Sequence, residues 1–127
     1  MNDRQYLHYC RQLLSGFAAT LLQRTAALDR AEPLRELARA FDHLSAEDAA
    51  LYRDGPALVS RLFTTYPDFA PTFPRELLWF FGGDCLHSMP DEEIELFQQL
   101  EELRGAAARR GEVLNLRAAR ANLLKLQ

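Results

Sequence analysis

The chain has 127 residues, of which 48% are hydrophobic and 26% charged, and a formal net charge of −3 at neutral pH. These are the proportions of one globular domain with one ordinary core, and they exclude an intrinsically disordered tail. The strongest apolar run, Leu77 to Phe81, has five residues against the roughly 20 that span a bilayer, so no membrane partner is expected.

The opening residues interleave acid and base from Asp3 and lack the basic, apolar, small-residue order of a secretory signal. Only two cysteines occur, Cys10 and Cys85, which reads as free thiols in a reducing cytoplasm rather than a disulfide framework. Fourteen of the fifteen basic residues are arginine, and Ala and Leu abound, a usage expected of a GC-rich bacterial genome.

Apolar residues recur at helical spacing along almost the whole chain, while two Val and one Ile leave strands without candidates. The spacing predicts an all-α, single-domain bundle of about six or seven helices. Asn2 and Gln5 form a capping pair, after which Tyr6, Cys10, Leu13, Phe17 and Leu21 make one stripe of a first helix running to about Leu28. Pro33 suits a first helical turn, and the second helix is expected to end near Leu44, with Ser45 and Asp48 as the next capping pair. A short helix from Ala46 to Arg53 is expected to stop at Asp54-Gly55, with Pro56 opening a separate segment to Tyr66.

Residues 64–74 place three prolines among three aromatics and predict a stiff, partly apolar connection that packs on the domain. The following run from Leu77 to Phe81 is apolar around its whole circumference, which marks either a buried central helix or one covered by a second subunit. Gly82-Gly83 either ends that helix or lets it continue to about His87. Ser88 and Asp91, with Pro90 in the first turn, predict a helix ending between Arg104 and Arg110; a last amphipathic helix beyond Gly111 uses Val113, Leu116, Ala119, Leu123 and Leu126.

Between Asp84 and Glu102 there are seven acids and no Lys or Arg, whereas Arg104 to Lys125 carries six bases and one acid. Antiparallel packing of the last two helices, with these flanks facing each other, is the simplest expectation, and self-association through the same complementarity is the alternative. Arg109, Arg110, Arg117 and Arg120 could face nucleic acid, but the net charge is negative and no stacking motif accompanies them, so no such partner is expected.

Asp84 and His87, three apart, resemble the Glu-x-x-His motif of di-iron bundles with Asp in place of Glu, but such a site needs two copies and two further glutamates from other helices, and the chain has one copy. His8 and Cys10, two apart on a helix, point in different directions and cannot share an ion with Cys85 and His87. No nucleophile elbow or phosphate loop occurs, so no catalytic residue, metal or cofactor is assigned. Two binding readings lead, ahead of a third in which the chain is an enzyme with a dispersed site. The chain associates with itself as a homodimer or with another protein, through Leu77, Phe81 and the four arginines; or it holds a small apolar ligand among Phe63, Tyr66, Phe69, Phe73, Trp79 and Phe80.

Overall fold

The computed structural model describes residues 1–125, and among them the architecture is all-α: six α-helices and two 3₁₀ segments around one core. Helix α1 spans Asp3–Arg24, α2 Pro33–Ser45 and α3 Asp48–Thr65; a 3₁₀ segment, Pro67–Thr72, leads to α4, Arg75–Phe81. A second 3₁₀ segment, Gly83–Ser88, precedes α5, Asp91–Arg109, and α6, Leu116–Lys125. Leu126, expected in the last helix, lies outside the described residues.

The Asn2–Gln5 pair forms a complete capping box. The Asn2 carboxamide oxygen accepts the Gln5 amide at 2.9 Å, and the Asn2 amide donates to Gln5 Oε1 at 2.8 Å. The helix stops at Arg24, short of Leu28, because Thr25 turns its hydroxyl back onto the Leu21 carbonyl at 2.8 Å, and Arg35 from α2 takes the Leu22 carbonyl. With its last carbonyls satisfied from outside, the helix has no need of a further turn.

Two expected caps do not form. Ser45 belongs to the last turn of α2 and donates to the Asp42 carbonyl, while α3 starts after Glu47 with no side-chain cap. Likewise α5 starts after Pro90, not Ser88, and again lacks a side-chain cap; Asp91, Glu92 and Glu93 in its first turn complement the positive helix end instead. The expected break at Asp54-Gly55-Pro56 is also corrected, since α3 runs unbroken through all three. Pro56 removes the amide that would meet the Tyr52 carbonyl, on a stretch where Tyr52, Arg53 and Asp54 are exposed and water can supply the missing partner.

Consecutive helices α1, α2 and α3 pack on one another, and α4 inserts against α1, α3 and α5. Leu77, Leu78 and Phe80 are buried, so α4 is the central element of the chain's own core; Leu77, 1% exposed, is covered by this chain and offers no surface to a partner. Gly82 and Gly83 take φ of 64° and 52°, a conformation costly for other residues, and this ends α4 rather than carrying it to His87. The proline-rich connection does pack on the domain: Phe73 is 1% exposed, with ring centroids 5.0 Å from Phe17, 5.8 Å from Phe63 and 6.2 Å from Phe41.

Gly55 is buried because the Phe81 ring lies against its Cα, and a Cβ there would overlap the ring edge. Alanine at a helical glycine ordinarily gains up to about 1 kcal/mol, while overpacking a filled core costs about 1–3 kcal/mol. Gly55→Ala is therefore expected to lower stability in urea denaturation, and the Gly55→Ala/Phe81→Leu double variant to recover part of the loss.

Candidate functional site

The most enclosed cavity lies where α1, α4, α5 and α6 meet, lined by Tyr6, Tyr9, Glu76, Trp79, Phe97, Leu100, Glu101, Arg104, Leu116 and Arg120. Tyr6 and Tyr9, half-buried, project from the same flank of the buried Cys10–Leu14–Phe17 stripe of α1. Trp79 stacks on Phe97 at 6.1 Å with planes 18° apart, forming one wall from α4 and α5. With α6 in place the cavity measures about 20 Å³, room for about one water.

Two arginines close it, each engaged on a ring and a carboxylate. Arg104, 8% exposed, occupies the inward stripe of α5 after Phe97 and Leu100, its guanidinium 4.5 Å from the Tyr6 ring centre. It donates to Asp3 Oδ1 at 3.1 Å, to the Met1 carbonyl at 3.2 Å and to Glu101. The Met1 amino group in turn donates to the Glu112 carbonyl at 2.7 Å, so the start of α1 is tied to the end of α5 and the turn beyond it. Arg120 of α6 lies 5.4 Å from the Phe97 ring centre and donates to Glu76 Oε1 at 2.8 Å.

The hydrogen-bond inventory is incomplete at this one place. Among the described residues, three buried side-chain polar atoms lack a partner, namely the Tyr9 hydroxyl, Arg104 Nε and Arg120 Nε, and all three belong to residues that line this cavity. Burial opposes the charge on Arg104, but Glu101 and Asp3 outweigh it and hold its pKa above the ordinary value. Burial pushes the Tyr9 phenol up, with Glu76 adding to the effect, and also raises the Tyr6 phenol and, to about 12, the neighbouring Cys10 thiol.

Arg104 was not among the residues that the sequence singles out, although a charged residue on the 97–100–104–107 stripe is the signal that marks it. The expected charge pairing between α5 and α6 is replaced by other partners. Arg120 reaches Glu76 of α4, and Arg110 pairs with Glu112 in the turn at 3.2 Å. Arg109 and Arg117 are exposed and enter no ion pair among the described residues. The last helix starts at Leu116 rather than just past Gly111, because Asn115 caps it by accepting the Ala118 amide at 3.0 Å, and this leaves Val113 63% exposed.

The six aromatics proposed for an apolar ligand are not gathered around one cavity. Trp79 lines the cavity above, Phe63 a groove of about 130 Å³ beside Cys85, and Phe69 a groove of about 210 Å³ along α1, where Arg24 covers its ring at 4.7 Å. Phe73 and Phe80 are buried in the core, Tyr66 is half-buried, and Phe81 lies against Gly55. Asp84 and His87 are exposed on the second 3₁₀ segment while Cys85 faces inward; His8 is exposed and Cys10 buried. No cluster of three or more His, Cys, Asp or Glu side chains suited to a metal ion occurs among the described residues. His43 shares a shallow groove with Glu47 and Asp54, and Asp54 is held by Arg53.

Fold and site together define a class: an all-α domain with an enclosed cavity that, among the described residues, is roofed by α6. Within that class the chain belongs to the PA2817-like family, whose model matches residues 4–127. No curated protein and no solved structure shows a significant match to it.

The raised pKa values carry a sign. Cys10 titrates near its ordinary 9 in the unfolded chain and near 12 in the folded one, so between those values the unfolded state binds fewer protons and stability falls as pH rises. Urea midpoints are expected to be flat from pH 7 to 8.5 and to drop from pH 9 towards 12, less steeply in Cys10→Ala. Neither thiol is expected to react with iodoacetamide at pH 8 in the native protein, and both to react in urea.

Proposed function

We propose that the protein acts by association with another protein chain, a second copy being the first partner to test, and that α6 with the turn before it forms the contact surface. The observation that supports this is the incomplete burial of α6. Its sequence is amphipathic, yet none of its described residues is buried, and it lies on the bundle through half-buried Leu116, Ala119, Arg120 and Leu123. Leu124 is 52% exposed and Val113 63%, and Leu103 of α5 joins them among the exposed large apolar side chains. Unpaired Arg109 and Arg117 add positive charge to the same stretch, opposite in sign to the exposed acids Asp91, Glu92, Glu95 and Glu102 of α5. Such a surface gains from being covered, and its split charge gives a second copy something to pair with.

The reading places the protein in a bacterial cytosol, supported by the two unpaired thiols and the arginine-rich composition. No helix of the described residues is long and apolar enough to cross a membrane.

Light scattering at two protein concentrations and two salt levels tests the proposal. The expected result is a dimer that dissociates on dilution, more readily at high salt, and that is monomeric throughout in Val113→Glu/Leu124→Glu with unchanged helicity. A wild-type monomer under all four conditions would sink the homodimer reading.

A further inference from the structure

We infer that the cavity beneath α6 is a binding site for a small uncharged molecule that presents a carbonyl-type hydrogen-bond acceptor on a flat apolar body. Three observations converge on that chemistry. Arg104, a side chain 10% exposed, gives its terminal nitrogens to Asp3, Glu101 and the Met1 carbonyl, Arg120 gives one to Glu76, and each keeps a buried Nε–H without an acceptor; the Tyr9 hydroxyl, with Arg117 nearby, also lacks a hydrogen-bond partner among the described residues. Three hydrogen-bonding groups left open around one enclosure ask for an acceptor.

Charge then selects among acceptors. Among the residues that line the cavity, Arg104 is matched by Glu101 and Asp3 and Arg120 by Glu76, and unpaired Arg117, which acts on Tyr9, is exposed to water, so an anion or a cation entering the cavity meets groups whose charges are already paired or solvated. A buried unpaired charge costs far more than a neutral acceptor that is hydrogen-bonded. Shape selects the body: the parallel faces of Trp79 and Phe97, with Leu100 beside them, suit a flat ring.

Size sets the mode of entry. About 20 Å³ admits one water and nothing larger, so an organic ligand enters by lifting α6, the one wall with no buried residue. Glu112 is held by the Ala107 carbonyl and the Met1 amino group, so the tether on which that helix would move is the stretch without regular secondary structure from Val113 to Asn115.

The chain's single tryptophan lines the cavity, so its emission reports occupancy directly. The experiment titrates the whole protein at pH 7 with benzamide and with its near-isosteric charged counterparts, benzoate and benzamidinium. Saturable change with benzamide is expected, with both ions at least tenfold weaker. Tyr9→Phe, which removes a hydroxyl that holds nothing in the fold, should weaken benzamide about 3- to 10-fold. Leu116→Phe, which fills the cavity from α6, should abolish the response while leaving the circular dichroism unchanged. No saturation with benzamide, equal or tighter binding of either ion, or a titration indifferent to both variants would each overturn the assignment.

Discussion

A seven-residue helix whose last five residues are apolar around its whole circumference has little face to give to water and is far too short to persist alone, so the rest of the chain is arranged to enclose it. The slot for α4 is made by α1, α3, α5 and the 3₁₀ segment that follows it. Pro74 and Gly82 fix where it begins and ends. Its only two charged residues act as outward ties. Arg75 binds Glu93 at 2.8 Å and the Ser88 carbonyl at 2.9 Å, which seats the start of α5, and Glu76 holds Arg120 of α6. One short element therefore sets the position of the two helices that follow it.

The features legible in the sequence are those where a local pattern and the tertiary demand coincide. Asn2 and Gln5 need only each other, and the α1 stripe through Cys10, Phe17 and Leu21 is read directly from its period. Where tertiary packing overrides a local signal, the sequence misleads. Gly55-Pro56 has the composition of a break, but the missing Cβ is what lets the Phe81 ring approach, and the proline sits on an exposed turn that tolerates a lost hydrogen bond. Ser45 and Ser88 have the right neighbours for capping yet are spent elsewhere, one inside α2 and one closing a 3₁₀ turn. Asn115, a good capping residue, sets the start of α6, although Gly111 before it is the stronger local signal for a helix boundary.

The candidate site was hardest to read because it is assembled from four helices. Of its residues, Trp79 and Arg120 are the two that the sequence marks for binding, one as a ligand-lining aromatic and the other as part of a basic face. Spacing could not show that they flank one cavity. Arg104 matters most there. Its stem and charge lie over Tyr6, its donors hold Met1, Asp3 and Glu101, and without it the first turn of α1 and the last turns of α5 lose their common tie. The acidic and basic segments, so evident as a run of letters, are resolved by geometry into one pair within α5 and others reaching α1 and α4, with none between α5 and α6 among the described residues.

The order in which helices touch has a consequence for how the molecule is made. The first three pack mainly on sequence neighbours, a topology whose contacts form on the microsecond-to-millisecond scale, so they are free to assemble as soon as they leave the ribosome. The partial bundle is then an open half-core: Phe17, Phe41 and Leu14 face a slot whose fillers, Phe73 and Leu77, arrive later in synthesis. A chain interrupted near residue 70 is thus well supplied with helix yet exposes the stickiest surface of the molecule, and it is this species, rather than the unfolded chain, that a cell would have to shield or destroy.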